Sequence, residues 1–131
     1  MALHTDTEIY RATYSLCQLV TQLVANMPRN YKADFGAELR RRCMGLVMRT
    51  YEANTAEADE RPAVLRRMRH EVEAVNLSLR LAKDLRLISA GQYARAIAIT
   101  ESIAKQATGW QKHTESRLSP ARQGGRANAH R

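Results

Sequence analysis

The run R-P-A-V-L-R-R-M-R-H-E-V-E-A-V-N-L-S-L-R-L-A-K-D-L-R-L, residues 61–87, decides the fold. Within it Leu65, Met68, Val72, Val75, Leu79 and Ala82 recur by threes and fours, the spacing of one apolar seam on an α-helix. Asp59 and Glu60 ahead of Pro62 mark its start, because acids favour the positive end of the helix dipole and proline is tolerated in the first turn. The spacing predicts a helix reaching about Leu87. A helix with a single seam cannot bury that seam alone, so its partners must lie on either side in the chain.

Upstream, Ile9, Thr13, Leu16, Val20, Leu23 and Met27 step by four and three in turn, as a heptad seam does. Asp6 or Thr7 is placed to cap this helix and Pro28 to close it, giving a span near 6–27. A second seam, Phe35, Leu39, Cys43, Leu46 and Thr50 with Tyr51 beside it, fades into the polar run N-T-A-E-A-D-E. Downstream of the third helix, Ser89 and Gln92 fit a capping box, weakened by Gly91. The fourth seam is Tyr93, Ala96, Thr100, Ile103, Ala107 and Trp110, widened by Ile97 and Ala104, with Trp110 read as core. Short connections force helices 1 and 2, and 3 and 4, to run antiparallel. The expected fold is all-α, an antiparallel up-down-up-down four-helix bundle over residues 1–116. From Arg117 the chain has a proline, two adjacent glycines and no acid, and 117–131 is read as a flexible basic tail.

Composition agrees with this fold class and limits the function. The 131 residues suffice for one modest core, and aromatics at 5% with abundant Ala, Leu, Arg and Glu favour helix over sheet. A net charge of +8 suggests a polyanionic partner, most often nucleic acid. Cys17 and Cys43 lie far apart without C-x-x-C spacing and read as small buried apolar residues in a reducing compartment. The N-terminus M-A-L-H-T-D-T-E has no basic region followed by an apolar one, and no run of about 18 apolar residues occurs. A cytoplasmic protein without a membrane partner is expected.

No catalytic or cofactor-binding pattern emerges. A di-iron bundle needs Glu-x-x-His pairs, but Trp110 stands three positions before His113 and Arg67 three before His70. His70 with Glu73 has the reverse spacing, beside an Arg69 read as outward-facing, and reads as a solvated ion pair rather than a metal site. Gly-rich phosphate loops, a nucleophile elbow and H-E-x-x-H are absent, and Gly36 and Gly45 suit close packing or a tolerated helical glycine. The expectation is therefore no enzyme, no cofactor and no metal.

Binding residues are easier to nominate. At about 100° per residue, Arg40, Arg41 and Arg42 fan over about 200°, with Arg41 pointing away from the seam and the other two on opposite flanks. Arg42 and Arg49, seven apart, share a flank and make the better pair for one phosphate, although Glu38 could pair with Arg42 across one turn. Met44 and Met48 fall on the outward side, as a subunit contact would require, although scattered surface methionines also occur. On helix 3, Arg69, Glu73, Asn76, Arg80 and Lys83 form a polar stripe read as lying opposite the seam. Arg80, in an otherwise apolar N-L-S-L-R-L-A, is expected at a flank with its stem covered, gripping an anion or pairing with Asp84. In the linker M-P-R-N-Y-K, Arg29 and Lys32 bracket Tyr31, which either stacks on a base or packs as a staple.

Together M-P-R-N-Y-K, G-A-E-L-R-R-R-C-M-G-L-V-M-R-T-Y-E-A-N, N-L-S-L-R-L-A-K-D-L-R-L-I-S and T-G-W-Q-K resemble the accessory variability determinant proteins of diversity-generating retroelements, over residues 9 to 113. The four-helix proteins encoded in ribosomal RNA intervening sequences are the nearest confusable group and supply the alternative, a scaffolding bundle with no reverse transcriptase partner. The resemblance implies a non-catalytic bundle that assembles into a pentameric barrel and binds RNA, DNA and the retroelement's reverse transcriptase. That enzyme copies a template RNA with errors at adenines, and the cDNA replaces a variable repeat in a target gene. Carried onto this chain, the family's basic helix 3 position is Arg80, and Asn76 one turn earlier is neutral where another cation would be expected.

Overall fold

A computed structural model describes the backbone of residues 7–130 and the side chains of residues 7–118. Four long helices, α1 (Glu8–Ala25), α2 (Ala37–Thr55), α3 (Arg61–Asp84) and α4 (Ala90–His130), pack as a bundle. Each packs against two neighbours, α1 on α2 and α4, and α3 on α2 and α4, so the helices form a square in section. The flexible tail expected from Arg117 falls mostly on residues whose side chains lie outside those described.

The seams form the core. Leu16, Val20, Leu39, Cys43, Leu46, Leu65, Met68, Val72, Val75, Leu79 and Ile103 are fully or almost fully buried. Seam threonines satisfy their hydroxyls within their own helix, Thr13 donating to the Tyr10 carbonyl at 2.8 Å and Thr50 to the Leu46 carbonyl at 3.1 Å. Trp110 packs against the core at its edge, where the Arg61 guanidinium lies 5.7 Å from the ring centroid. Arg61 also donates to the carbonyls of Ala53 at 2.7 Å and Ala56 at 3.1 Å, partners for backbone oxygens that the end of α2 leaves open.

Local signals set most ends. Thr7 caps α1, its Oγ1 accepting from the Tyr10 N–H at 3.2 Å, while Asp6, the other candidate, lies outside the described residues. At α4 the Gln92 N–H donates to Ser89 Oγ at 3.0 Å while the Ser89 N–H donates to Gln92 Oε1 at 2.8 Å, a complete capping box.

Two ends differ from expectation. Helix α3 stops at Asp84 rather than Leu87, because Arg86 adopts a left-handed conformation with φ 62°. The Leu87 N–H then reaches the Ala82 carbonyl at 2.8 Å and the Arg86 N–H the Lys83 carbonyl at 2.9 Å, the paired bonds of a Schellman motif. The second seam begins in a helical turn, Arg29–Tyr31, and a π-helical segment, Lys32–Gly36, ahead of α2. Gly36 shows why that segment must sit tight: a Cβ there would lie 2.5 Å from Val24 Cγ1 on α1.

Candidate binding surface

On α2 the three consecutive arginines separate as the helical projection requires. Glu38 accepts from Arg41 NH2 at 2.7 Å and lies 3.7 Å from Arg42 Nε, so one carboxylate serves two guanidiniums. Hydrogen bonding and then charge from Arg41 hold the Glu38 carboxyl below its ordinary range. Arg40 lies on the other flank, where it and Arg41, Met44, Ala37, Cys17 and Thr21 border a hollow of about 430 Å³ between α1 and α2. Among the described residues no carboxylate comes within ion-pair distance of Arg40.

Arg42 and Arg49 do share a flank, but Arg49 is committed elsewhere. It bonds Glu71 of α3 at 2.8 Å and also Glu52, while Arg67 reaches Glu52 at 3.4 Å. Burial works against the Arg49 charge, yet the hydrogen bonds and charges of Glu52 and Glu71 outweigh it and raise its pKa. This network cross-links α2 to α3. Glu71 stands 22 residues from Arg49, so nothing local in the sequence announces the pair.

The polar stripe of α3 is displaced from where the sequence placed it. It faces α4: Arg69 donates to Gln111 Oε1 at 3.1 Å, and Lys83 Nζ lies 4.8 Å from the Tyr93 ring centroid. Toward the C-terminal end of α3 the face opposite the seam is apolar instead, with Leu77, Leu81 and the capping Leu85 exposed by 64%, 48% and 44%, while Arg66, Arg67 and His70 are exposed nearer its start. Helix α3 carries more apolar residues than one seam can bury, and the surplus points to solvent. Arg80 lies 3.9 Å from Asp84 with its side chain 68% exposed, so its stem is not covered.

Arg29 and Lys32 are exposed, and Tyr31 between them is half-buried. They share one end of the bundle with Lys83 and Arg86, because α1 and α3 finish where α2 and α4 begin. Glu57, Asp59 and Glu60 occupy the connection at the opposite end. Met44 and Met48 are exposed by 55% and 54%, and Tyr14 and Tyr51 extend their patch across α1 and α2. Tyr51, three residues beyond Met48, was recognisable from the helical spacing.

No group of three His, Cys, Asp or Glu side chains able to hold a metal occurs among the described residues, and no described helix is long and apolar enough to cross a membrane. His70 and Glu73 form no ion pair with each other; both line a groove between α3 and α4. No curated protein matches the chain. Residues 9–114 match the bAvd-like family, a span that takes in α2 and α3 whole, nearly all of α1, the first part of α4 and each of the cationic positions described above. The chain thus belongs to the bAvd-like family, the bacterial accessory variability determinant proteins of diversity-generating retroelements, and is an accessory protein of such an element.

Proposed function

We propose that this protein is the non-catalytic helper of a retroelement reverse transcriptase, a pentameric barrel that holds the enzyme and its RNA and cDNA by charge and shape. Family membership over residues 9–114 carries this reading. The distribution of charge supports it: Arg29, Lys32 and Arg40 are exposed without a carboxylate partner among the described residues, and Arg41 and Arg42 share a single acid. A strand backbone gathers such cations without regard to sequence, releasing counterions as it does. Apolar patches on α2 and α3 provide surface for copies of the chain to cover.

The experiment is co-purification of a tagged chain with the reverse transcriptase of its own element, paired with gel shifts on template RNA across a salt series. Co-elution and affinity that falls steeply with salt are expected. The triple variant Arg29→Glu, Lys32→Glu, Arg40→Glu should weaken the RNA shift while leaving the helical circular dichroism unchanged. An enzyme that elutes alone, with RNA affinity flat in salt, would overturn the reading.

A further inference from the structure

Between α3 and α4 runs a groove of about 610 Å³, lined by Arg66, Arg69, His70, Glu73, Asn76 and Lys105. Its lining combines two features that do not cancel each other. Cations predominate, and Glu73 makes no ion pair with any of them among the described residues, although Arg69 is four residues away on the same helix face. At the same time the Asn76 side-chain oxygen is buried without a hydrogen-bond donor. Buried acceptors are almost always satisfied, so this one requires a reason. Asn76 itself lines the groove, so a ligand seated there is the available source of the missing donor. Glu73 lies three positions earlier, about 5–6 Å away between Cβ atoms, so the two acceptors stand side by side on α3. Ala104 provides apolar wall on the α4 side.

We infer that this groove reads one unpaired nucleotide, a guanine, of the bound strand. The inference rests on the proposed nucleic-acid function and adds to it a base-reading site. Two adjacent acceptors call for two adjacent donors, and among the bases only guanine offers N1–H beside an exocyclic amine on its Watson–Crick edge. The Glu73 carboxylate accepts from one and Asn76 Oδ1 from the other, the base plane lies against Ala104 and Thr108, and Arg69 and Lys105 hold the flanking phosphate. Asn76 accounts for the neutral residue where family resemblance leads one to expect a cation: a cation there would supply a donor where the base needs an acceptor. A duplex is excluded, since its guanine donors are already paired.

The test uses fluorescence anisotropy of labelled oligouridylates carrying a central guanosine, a central inosine or no substitution. The wild-type protein should bind the guanosine strand about tenfold tighter than the unsubstituted strand, with inosine, which lacks the exocyclic amine, losing most of that preference. Asn76→Leu should bring the ratio to about one while affinity for plain oligouridylate stays within about twofold, since the backbone contacts remain. The same variant, freed of its unpartnered oxygen, should melt at a higher temperature. If Asn76→Leu fails to fold, the isosteric Glu73→Gln on the exposed rim carries the test and should likewise collapse the ratio. Equal binding of all three strands by the wild type, or a guanosine preference that survives these substitutions, overturns the base-reading site and leaves the general function standing. Absence of binding to every strand at low salt would remove both.

Discussion

Arg86 shows how a single backbone angle carries a fold signal that composition hides. Glycine is the usual residue at this position of a Schellman motif, and an L side chain there costs about 1–2 kcal/mol. Arg86→Gly keeps both closing hydrogen bonds, so chemical denaturation should show a gain of about 1 kcal/mol after the entropy of the added glycine is offset. Cys43 sets a second expectation. Burial, with the neighbouring Cys17 adding to it, pushes its thiol up to about 12. Above the ordinary thiol pKa the unfolded chain loses this proton and the native state keeps it, so stability falls as pH rises from about 9 toward 12. Cys43→Ala should flatten that alkaline decline in a series of urea melts, while Cys17, half-exposed, should remain the faster thiol toward a disulfide reagent. The caps at Thr7 and Ser89 were legible because a cap is a matter of three or four consecutive residues. The role of Arg49 was not, because an arginine open to an anion and one tied to an acid on another helix look alike in sequence until Glu71 is brought to it.

At the scale of elements, the π-helical approach to α2 and the contact of Gly36 with α1 depend on one another. The backbone of Gly36 is ordinary helix, φ −64°, so alanine there meets no conformational obstacle, only Val24. Gly36→Ala should therefore cost about 1–3 kcal/mol as overpacking. Val24→Ala opens a cavity of its own, yet in the double variant the two losses should sum to less than their separate values. Additive losses in equilibrium unfolding would show that the glycine serves the π-turn rather than the helix contact. Periodicity located this helix but not its entry, because one extra residue in a turn leaves the apolar spacing nearly unchanged. It also misjudged the orientation of α3's stripe: a residue some 90° from the seam faces a neighbour in a square bundle, and only the positions of α2 and α4 reveal which one.

For the whole molecule, the exposed apolar bands bear on the proposed assembly. The Met44, Met48, Tyr51 band borders α1, whereas Leu77, Leu81 and Leu85 project from α3, so a contact between them would join unlike surfaces and propagate into a ring. Met44→Lys with Met48→Lys, or Leu77→Lys with Leu81→Lys, should each yield monomers by light scattering. Mixed in equal amounts, the two variants should pair, since one intact band remains on each. A variant that still self-associates through its one intact band would instead point to like-on-like contacts.

The sequence by itself determined the four helices, their core seams, most of their caps and the outward place of the methionines, because each follows from the period of a helix or from a few adjacent residues. Only the tertiary structure decided which arginines stay open and which are tied to acids, where the leucines of α3 point, and that Asn76 and Glu73 share a groove with Lys105. Those outcomes depend on distances between segments far apart in the chain, and helical spacing fixes a side chain's angle around its own axis without fixing what stands opposite it.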